Sequence, residues 1–415
     1  MQLATRVHNK ITKDTLILFM VLFYPAVHNY IWRITAVAGI VGLYISIEVF
    51  DAIAWTVVIG AIIITTRKPT INTRTLFVSL VFVIVTLLCF VLTNYDYFTG
   101  SVLFSILIGT FSFFLQGSYI DIKRVSHRQL YIAAIITLVV SILYSTYSID
   151  YKGMTLDDNM DFAYKVLPSV LVIYSWLFTQ QKKKVAIVFS VIGTIFLLLQ
   201  GTRGPLFCLA FFICLMIYKK HGLGMAFVRV GVIVMVALLL FNLPIVQLKL
   251  VELTDSIDSS GYSSRFIRMT LDGDLSDANG RDAIKETLIE EIKENPIKIR
   301  GMFADRQATQ GLVDREYSMG YENGTYAHSL WIEIIYQWGV ILGGALLMVL
   351  FWLVFKIVIK SEKSDSYIII LFVCTGFVPL FMSGSYLRSA ELFFLLGIAT
   401  IYQPNTVKGK RDVLV

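Results

Sequence analysis

The stretch YENGTYAHSLWIEIIYQWGVILGG, residues 321–344, passes from a polar turn into an apolar run, with His328 at the boundary and Glu333 inside the run. Long, nearly uncharged runs of this kind recur along the chain. Of its 415 residues 56% are hydrophobic and 16% are charged, and the mean hydropathy is +0.72. A chain this apolar cannot bury its hydrophobic surface in one soluble core. The composition therefore predicts an all-α, polytopic membrane protein.

About twelve runs are long enough to cross a hydrocarbon layer of ~30 Å as helices. They lie near residues 15–31, 34–66, 76–93, 99–119, 129–148, 162–179, 184–200, 204–219, 225–248, 328–355, 367–384 and 387–403. The second run is too long for one span and contains Glu48 and Asp51, so a broken helix and a span with an interfacial piece both stay open. Alternating strand patterns are missing, which argues against a membrane barrel.

Lysine and arginine cluster in every second loop, for example at 67–74, in QQKKK at 180–184 and at 356–363. Short cytoplasmic loops retain such cations. The alternation predicts that both termini are cytoplasmic, and the net charge of +7 then reflects topology and anionic lipid rather than nucleic-acid binding. The first apolar run lacks a small-residue cleavage site, so no cleavable signal peptide is expected.

The pattern divides the chain into three regions. Residues 1–248 carry about nine spans, 249–327 form one large loop outside the cytoplasm, and 328–415 carry about three spans and a cytoplasmic tail. In the loop, RDAIKETLIEEIKENP (281–296) places Ile284, Leu288 and Ile292 at four-residue spacing, which predicts an amphipathic helix. We expect this helix on the membrane or over the bundle, with Arg281 on the same aqueous side as His328.

Two histidines and two arginines stand out near the predicted outer face. Of five histidines only His28 and His328 are near it, and Arg203 and Arg388 are lone charges in very short outer connections. A charge within the bilayer costs ~2.5–3.5 kcal/mol, so a functional role is the default hypothesis. The alternatives are an arginine that snorkels to the headgroups and a histidine that is merely interfacial.

A polar stripe runs along the helix after His328. Glu333 lines up with Ser329, Tyr336 and Gln337 at helical spacing. Such a stripe can face substrate, or it can form a hydrogen-bond seam between helices.

Metal chemistry has little support in the sequence. The four cysteines, Cys89, Cys208, Cys214 and Cys374, lie inside predicted helices without metal-ligand spacing. Asp272 and Asp274 form a D-x-D in a turn rich in glycine and serine, where solvated turn residues are the better explanation. We expect neither a metal nor a cofactor.

Three motifs resemble those of the O-antigen ligase and O-antigen polymerase superfamily of bacterial lipid-linked-glycan transferases. These are the arginine of GTRG (201–204), the GR that opens NGRDAIKETLIEEIKENP (279–296), and the histidine-led block AHSLWIEIIYQWGVILGG (327–344). The large outer loop late in the chain is similar too. Ser329 departs from the pattern, which commonly has asparagine there.

The resemblance implies a GT-C-like membrane enzyme in the bacterial inner (plasma) membrane, with its active site facing the periplasm. It would transfer glycan from undecaprenyl pyrophosphate to a sugar hydroxyl without metal or nucleotide sugar. His328 would be the general base, because its reference pKa near 6.5 suits proton transfer at neutral pH. Arg203 and Arg281 would grip the pyrophosphate. The further substrate-binding candidates are Arg265, Arg388, Glu333 and Tyr326.

The expected partners are the lipid-linked donor and acceptor, membrane lipids and a chain-length regulator of the polysaccharide co-polymerase type, with no nucleic acid. We favour a polymerase, which adds glycan to a lipid-linked repeat unit, because no feature identifies a site for the lipid A core that a ligase uses. Two other classes stay open. One is a secondary transporter or lipid-glycan flippase, although the internal repeats typical of transporters are not evident. The other is a metal-dependent polyprenyl-phosphate-sugar transferase.

Overall fold

The computed structural model describes residues 12–37, 73–93, 95, 98–151, 156–179, 184–226, 228–229, 231–232, 235, 243–259, 267–268, 271, 281–310, 313–314, 319–320 and 325–402. Several predictions lie outside these residues. They concern most of the long second run with Glu48 and Asp51, the candidate Arg265, and the D-x-D of Asp272 and Asp274.

The described chain is helical almost throughout, as the composition predicts. The α-helices are Lys13–Val37, Thr73–Leu92, Gly100–Phe104, Phe111–Tyr119, His127–Tyr151, Leu156–Thr179, Lys184–Leu199, Arg203–His221, Pro244–Ser259, Arg281–Glu294, Ala304–Ala308, Leu330–Lys360, Ser366–Phe372 and Ala390–Ile401. Ser105–Thr110 and Val373–Phe377 are π-helical, and Ile122–Arg124, Val378–Phe381 and Tyr386–Arg388 are 3₁₀ turns. The exception is a two-stranded antiparallel pair, Val313–Asp314 with Met319–Gly320.

Six described helical segments are long and apolar enough to cross a membrane. They are Thr73–Leu92, Val102–Tyr119, His127–Ser145, Asp161–Thr179, Arg203–His221 and Leu330–Lys360. Three shorter apolar helices, Lys184–Leu199, Ser366–Phe381 and Ala390–Ile401, accompany them. The chain is therefore a multi-pass membrane protein, while the total of about twelve spans and a GT-C-like arrangement stay predictions.

The chain forms two compact units, and the first comprises the described residues within 1–70 and 120–272. Its central element is Leu156–Thr179, which contacts Lys13–Val37, His127–Tyr151, Lys184–Leu199 and Arg203–His221. Side chains such as Val166, Leu167 and Val170 on this central helix are fully buried. The helix Pro244–Ser259 also belongs to this unit and runs across the predicted end of a span at residue 248.

The second unit comprises the described residues within 71–119 and 273–415. In its interior Phe111–Tyr119 packs closely on Ala390–Ile401. Gly117 lies on the carbonyl of Phe394, and Gly397 lies on the carbonyl of Phe114. Small residues at such crossings let two helix backbones approach in a membrane, where packing rather than water exclusion drives association.

The helix Leu330–Lys360, here the kinked helix, is broken at Gly339, whose φ of 73° and ψ of 166° are not helical. Val340 N donates to Pro296 O at 2.7 Å, and Gln337 O accepts from Gly301 N at 2.9 Å. Thirty-one helical residues would extend ~46 Å, whereas the 21 residues from 340 to 360 extend ~32 Å, close to the hydrocarbon thickness. The break thus divides the predicted span over 328–355 into a short arm, 330–338, and a longer part that begins at Val340.

The helix Arg281–Glu294, here the loop helix, packs on the short arm of the kinked helix. Its buried residues Ile284 and Leu288 form one cluster with Ile332 and Tyr336, and Ile292 packs against that cluster. The predicted apolar face is confirmed. The loop helix therefore contacts the helix that follows His328, and its place relative to the membrane stays a prediction.

Hydrogen bonds locate the loop helix and the cytoplasm-predicted loops within the second unit. At the end where Thr73–Leu92 finishes, Tyr95 Oη donates to Arg300 O just after the loop helix. At the opposite end Thr75 hydrogen-bonds Thr400 at 3.3 Å, and Tyr402 Oη donates to Asp365 at 3.2 Å. The cations Arg74, Lys360 and Lys363 neighbour these residues in sequence. The loop helix and the cation-rich loops thus lie at opposite ends of this unit, as the charge alternation predicts.

Candidate active site

His328 occupies a strained turn directly before the kinked helix. Its φ of 51° lies in the left-handed region, which is uncommon for a residue with a side chain. On one side Ala327 N donates to Asp305 Oδ2 at 3.3 Å, and on the other Ser329 O accepts from Glu333 N at 3.0 Å. Because both neighbours are held, the imidazole projects from a fixed point at the mouth of the helix.

The imidazole of His328 has one aromatic neighbour and an unengaged nitrogen. The Tyr326 ring lies 4.0 Å from it between centroids, tilted by 39°. Its Nδ1 is buried and has no hydrogen-bond partner within the described part of the chain. Strain and an unengaged polar atom together are typical of a functional side chain rather than of a structural one.

The surroundings keep His328 neutral. Burial, followed by the positive charges of Arg281, Lys285 and Arg306, lowers the pKa of His328 from 6.5 to about 3. Desolvation and nearby cations both disfavour the imidazolium. At neutral pH the imidazole is therefore uncharged, and its pKa lies well below the value of 6.5 on which the prediction of a general base relied.

A buried charge cluster lies behind this turn. Arg306 Nη1 lies 3.0 Å from Asp305 Oδ2 and 3.3 Å from Glu333 Oε1. The side-chain exposures of Arg306, Asp305 and Glu333 are 2%, 0% and 0%. Charges this deep persist only when paired and hydrogen-bonded, since each unpaired one costs several kcal/mol.

Hydrogen bonds extend the cluster into a seam. Glu333 accepts from Ser385 Oγ and from Tyr386 N, the latter at 3.3 Å. Gln337 Nε2 donates to Asp305 Oδ1 at 2.8 Å, and Tyr386 Oη donates to Gln337 Oε1 at 2.8 Å. The polar stripe of the kinked helix is thus a hydrogen-bond seam that ties together residues 304–310, 325–338 and 382–389.

Arg281 and Tyr326 meet on the connection 382–389. Arg281 Nη1 donates to Met382 O at 3.2 Å, and Tyr326 Oη lies 3.2 Å from Ser383 Oγ. Arg281 is close enough to His328 to act on its pKa. The structure therefore brings His328, Arg281 and Tyr326 together at one end of the second unit.

The other candidates have separate positions. Arg388 is exposed on the 3₁₀ turn Tyr386–Arg388. Arg203 begins the helix Arg203–His221 of the first unit, beside Gly204, on which the phenol of Tyr164 packs so closely that a Cβ would collide with it. Glu333, predicted to bind substrate, has its carboxylate occupied within the seam.

Sequence reasoning missed Asp305 and Arg306. They stand in FADRQ at 303–307, inside a polar segment where charges are expected to be solvated. The available signal is an adjacent pair of opposite charges two residues after an aromatic residue, and this signal is weak by itself. Within the described ranges, no group of three or more His, Cys, Asp or Glu side chains could hold a metal ion.

Residues 188–348 match a protein-family model described as O-antigen ligase. The matched stretch covers 161 of the 415 residues and includes Arg203, Arg281, Arg306, His328 and Glu333. No curated protein and no solved structure matches the chain.

Proposed function

We propose that the chain is a surface-polysaccharide polymerase, on the basis of the match of residues 188–348 to the family model described as O-antigen ligase. It transfers glycan from undecaprenyl pyrophosphate to the sugar hydroxyl of a lipid-linked repeat unit, on the periplasmic face of the bacterial inner membrane. The observation that carries the proposal is the buried imidazole of His328, which lies in a strained turn near Arg281 and whose Nδ1 is unengaged by described residues.

His328 serves as the general base. The acceptor hydroxyl oxygen attacks the anomeric carbon, the bond from that carbon to the diphosphate oxygen breaks, and the hydroxyl proton passes to the imidazole. Undecaprenyl pyrophosphate leaves with the bonding electron pair. A positioned base contributes ~10²–10⁴ in rate, and the anomeric carbon passes through an oxocarbenium-like state as in glycoside chemistry. Inversion at that carbon is the expectation from the family.

Cations stabilise the leaving group. Arg281 offers a planar guanidinium that can hold two phosphate oxygens at once, with Lys285 one turn further along the loop helix. Each hydrogen bond to a charged group is worth ~1.5–3 kcal/mol. Arg203 is a second clamp in the proposal, and Arg265 and Arg388 are lesser contributors.

The charge cluster positions these groups. Asp305 holds Ala327 next to His328, while Glu333 holds Ser385 and Tyr386 in the connection that receives Arg281 and Tyr326. Glu333 is therefore a positioning residue, which acts through the residues that it holds. It could contact substrate directly only if its hydrogen bonds to these residues were broken.

Turnover by purified protein tests the proposal. In detergent micelles with a synthetic lipid-pyrophosphate repeat unit, the wild-type protein should produce a ladder of longer glycans, and His328→Ala should lose at least ~10² in rate. Glu286→Ala, at an exposed glutamate of the loop helix, is the matched control and should retain full activity. A folded His328→Ala variant that makes a wild-type ladder would refute the assignment.

A ligase is the second candidate, because the matching family model is described as O-antigen ligase. A deletion strain separates the two. A polymerase deletion leaves one repeat on the lipid A core, whereas a ligase deletion leaves the core bare while lipid-linked polymer accumulates. Turnover in micelles, where no compartments exist, would exclude a transporter or flippase as the explanation, and turnover in chelator would exclude a metal-dependent transferase.

A further inference from the structure

Two isoleucines are exposed where the protein is otherwise polar. Ile297 and Ile299 are 67% and 59% exposed, between the loop helix and the buried Arg300. No other large hydrophobic side chain among described residues 281–310 is exposed. Single exposed apolar residues are ordinary, so the position of these two in the fold decides their meaning.

Backbone hydrogen bonds fix the level of both isoleucines at the break of the kinked helix. Pro296 O accepts from Val340 N at 2.7 Å, while Arg300 N and Gly301 N both donate to Gln337 O at 2.9 Å. A Cβ on Gly339 would lie 2.8 Å from Ile297 O. The segment 296–301 is therefore pinned on Gly339, from which residues 340–360 begin a stretch whose length matches the hydrocarbon layer.

A second span ends at the same level. Leu92, 78% exposed, is the last residue of Thr73–Leu92, and a Cβ on Gly301 would lie 2.8 Å from Thr93 Cγ2. Ile341, 70% exposed, continues the apolar surface from the break into the kinked helix. Two helix ends, at Thr93 and at Gly339, thus lie at the level of the segment.

The inner side of the segment is rigid. Arg300, 8% exposed, donates Nη2 to Glu291 O at 2.7 Å, and its guanidinium lies 4.5 Å from the centre of the Tyr336 ring. At a membrane interface, binding to lipid strengthens with the apolar area that a protein segment buries among the acyl chains.

We propose that residues 296–301 form a lipid-contact segment, in which Ile297 and Ile299 lie among the acyl chains of the leaflet on the His328 side. The partner is bulk membrane lipid. The segment anchors the end of the loop helix at the membrane surface, and, resting on the proposed function, this would keep Arg281 at the height of the donor's pyrophosphate.

Photo-labelling of the wild-type chain tests the contact directly. The protein is reconstituted into phospholipid vesicles that carry diazirine groups on the acyl chains, illuminated and mapped by mass spectrometry. Adducts are expected on the peptide with residues 296–301 and on the span 340–360, the internal positive control, but not on the exposed polar face around Glu286. Adducts on the span with none on 296–301 would overturn the proposal.

A second arm uses the single substitutions Ile297→Cys, Ile299→Cys or Glu286→Cys in a chain whose four native cysteines are replaced. A fluorophore at 297 or 299 should be quenched by doxyl groups on the acyl chains and protected from aqueous iodide, with the reverse at 286. Iodide quenching at 297 and 299 would show a water-exposed surface, and protection from both quenchers would show a protein-covered one. Either result refutes lipid contact.

Neither arm depends on catalysis. If the chain proves inactive as a polymerase, the adducts on 296–301 should persist. If the adducts are missing while turnover is normal, only the lipid contact fails.

Discussion

Replacing Glu333 by alanine should destabilise the second unit strongly. The carboxylate is fully buried and accepts hydrogen bonds from Arg306, Ser385 and Tyr386 N. Alanine removes all three acceptor contacts, leaves buried donors without an acceptor and takes one charge from the cluster. Breaking a buried pair in this way costs ~3–5 kcal/mol. Glutamine keeps an oxygen for Ser385 but loses the charge, so Glu333→Gln should cost less, ~1–3 kcal/mol.

The assay is the free energy of unfolding by denaturant titration of the purified protein in micelles. Glu286→Ala, an exposed glutamate of the loop helix, is the matched control and should change stability by no more than ~0.5 kcal/mol. Variants that stay folded should also turn over more slowly, because Glu333 holds the connection that receives Arg281 and Tyr326. If Glu333→Ala and Glu286→Ala unfold alike, the cluster does not stabilise the site as argued.

Three further predictions concern the imidazole, the clamp and the helix break. Since the pKa of His328 is about 3 in the folded protein, kcat/KM should stay level from neutral pH down to ~5. Arg281→Ala removes a cation, so it should raise that pKa and move the acidic fall of kcat/KM to higher pH. A wild-type fall of kcat/KM near pH ~6.5 would contradict this. The unfolded chain binds this proton first, so the stability present above pH ~6.5 should decline as the pH falls toward 3 in thermal scans. Arg281→Lys keeps the charge but loses the planar fork, so turnover should fall, and full activity would argue against a bidentate grip. Gly339→Ala should lower the free energy of unfolding by ~1–3 kcal/mol, because φ is 73° and the new Cβ would lie 2.8 Å from Ile297 O. Gly344 has open space around it, so Gly344→Ala should be neutral or stabilising by up to ~1 kcal/mol in the same denaturant titration.

Sequence reasoning reached those parts of the fold whose cause is local. The apolar face of the loop helix follows from the spacing of Ile284, Leu288 and Ile292, and the structure buries that face on the kinked helix. The placement of the loop helix and of the cation-bearing loops at opposite ends of the second unit follows from the distribution of lysine and arginine along the chain. Arg281 and His328 were expected on one side, and the structure brings them together in the second unit.

The break at Gly339 was beyond local reasoning. Apolar residues continue through it without a change of pattern, and only the carbonyl of Pro296, far away in sequence, satisfies the N–H of Val340. Asp305 and Arg306 were missed for the same reason, since the polar composition around them predicts solvation and only the approach of Glu333 shows that they are buried.

By itself the sequence determined that this chain lies in a membrane, which ends carry the cations, and which helix has an apolar face, because each depends on the solvation of neighbouring residues. Only the tertiary structure decided which charges are paired, where the long helix breaks, and that His328 is neutral and strained. Those properties arise from contacts between segments distant along the chain, and desolvation by such contacts changes the free energy of a charge by several kcal/mol.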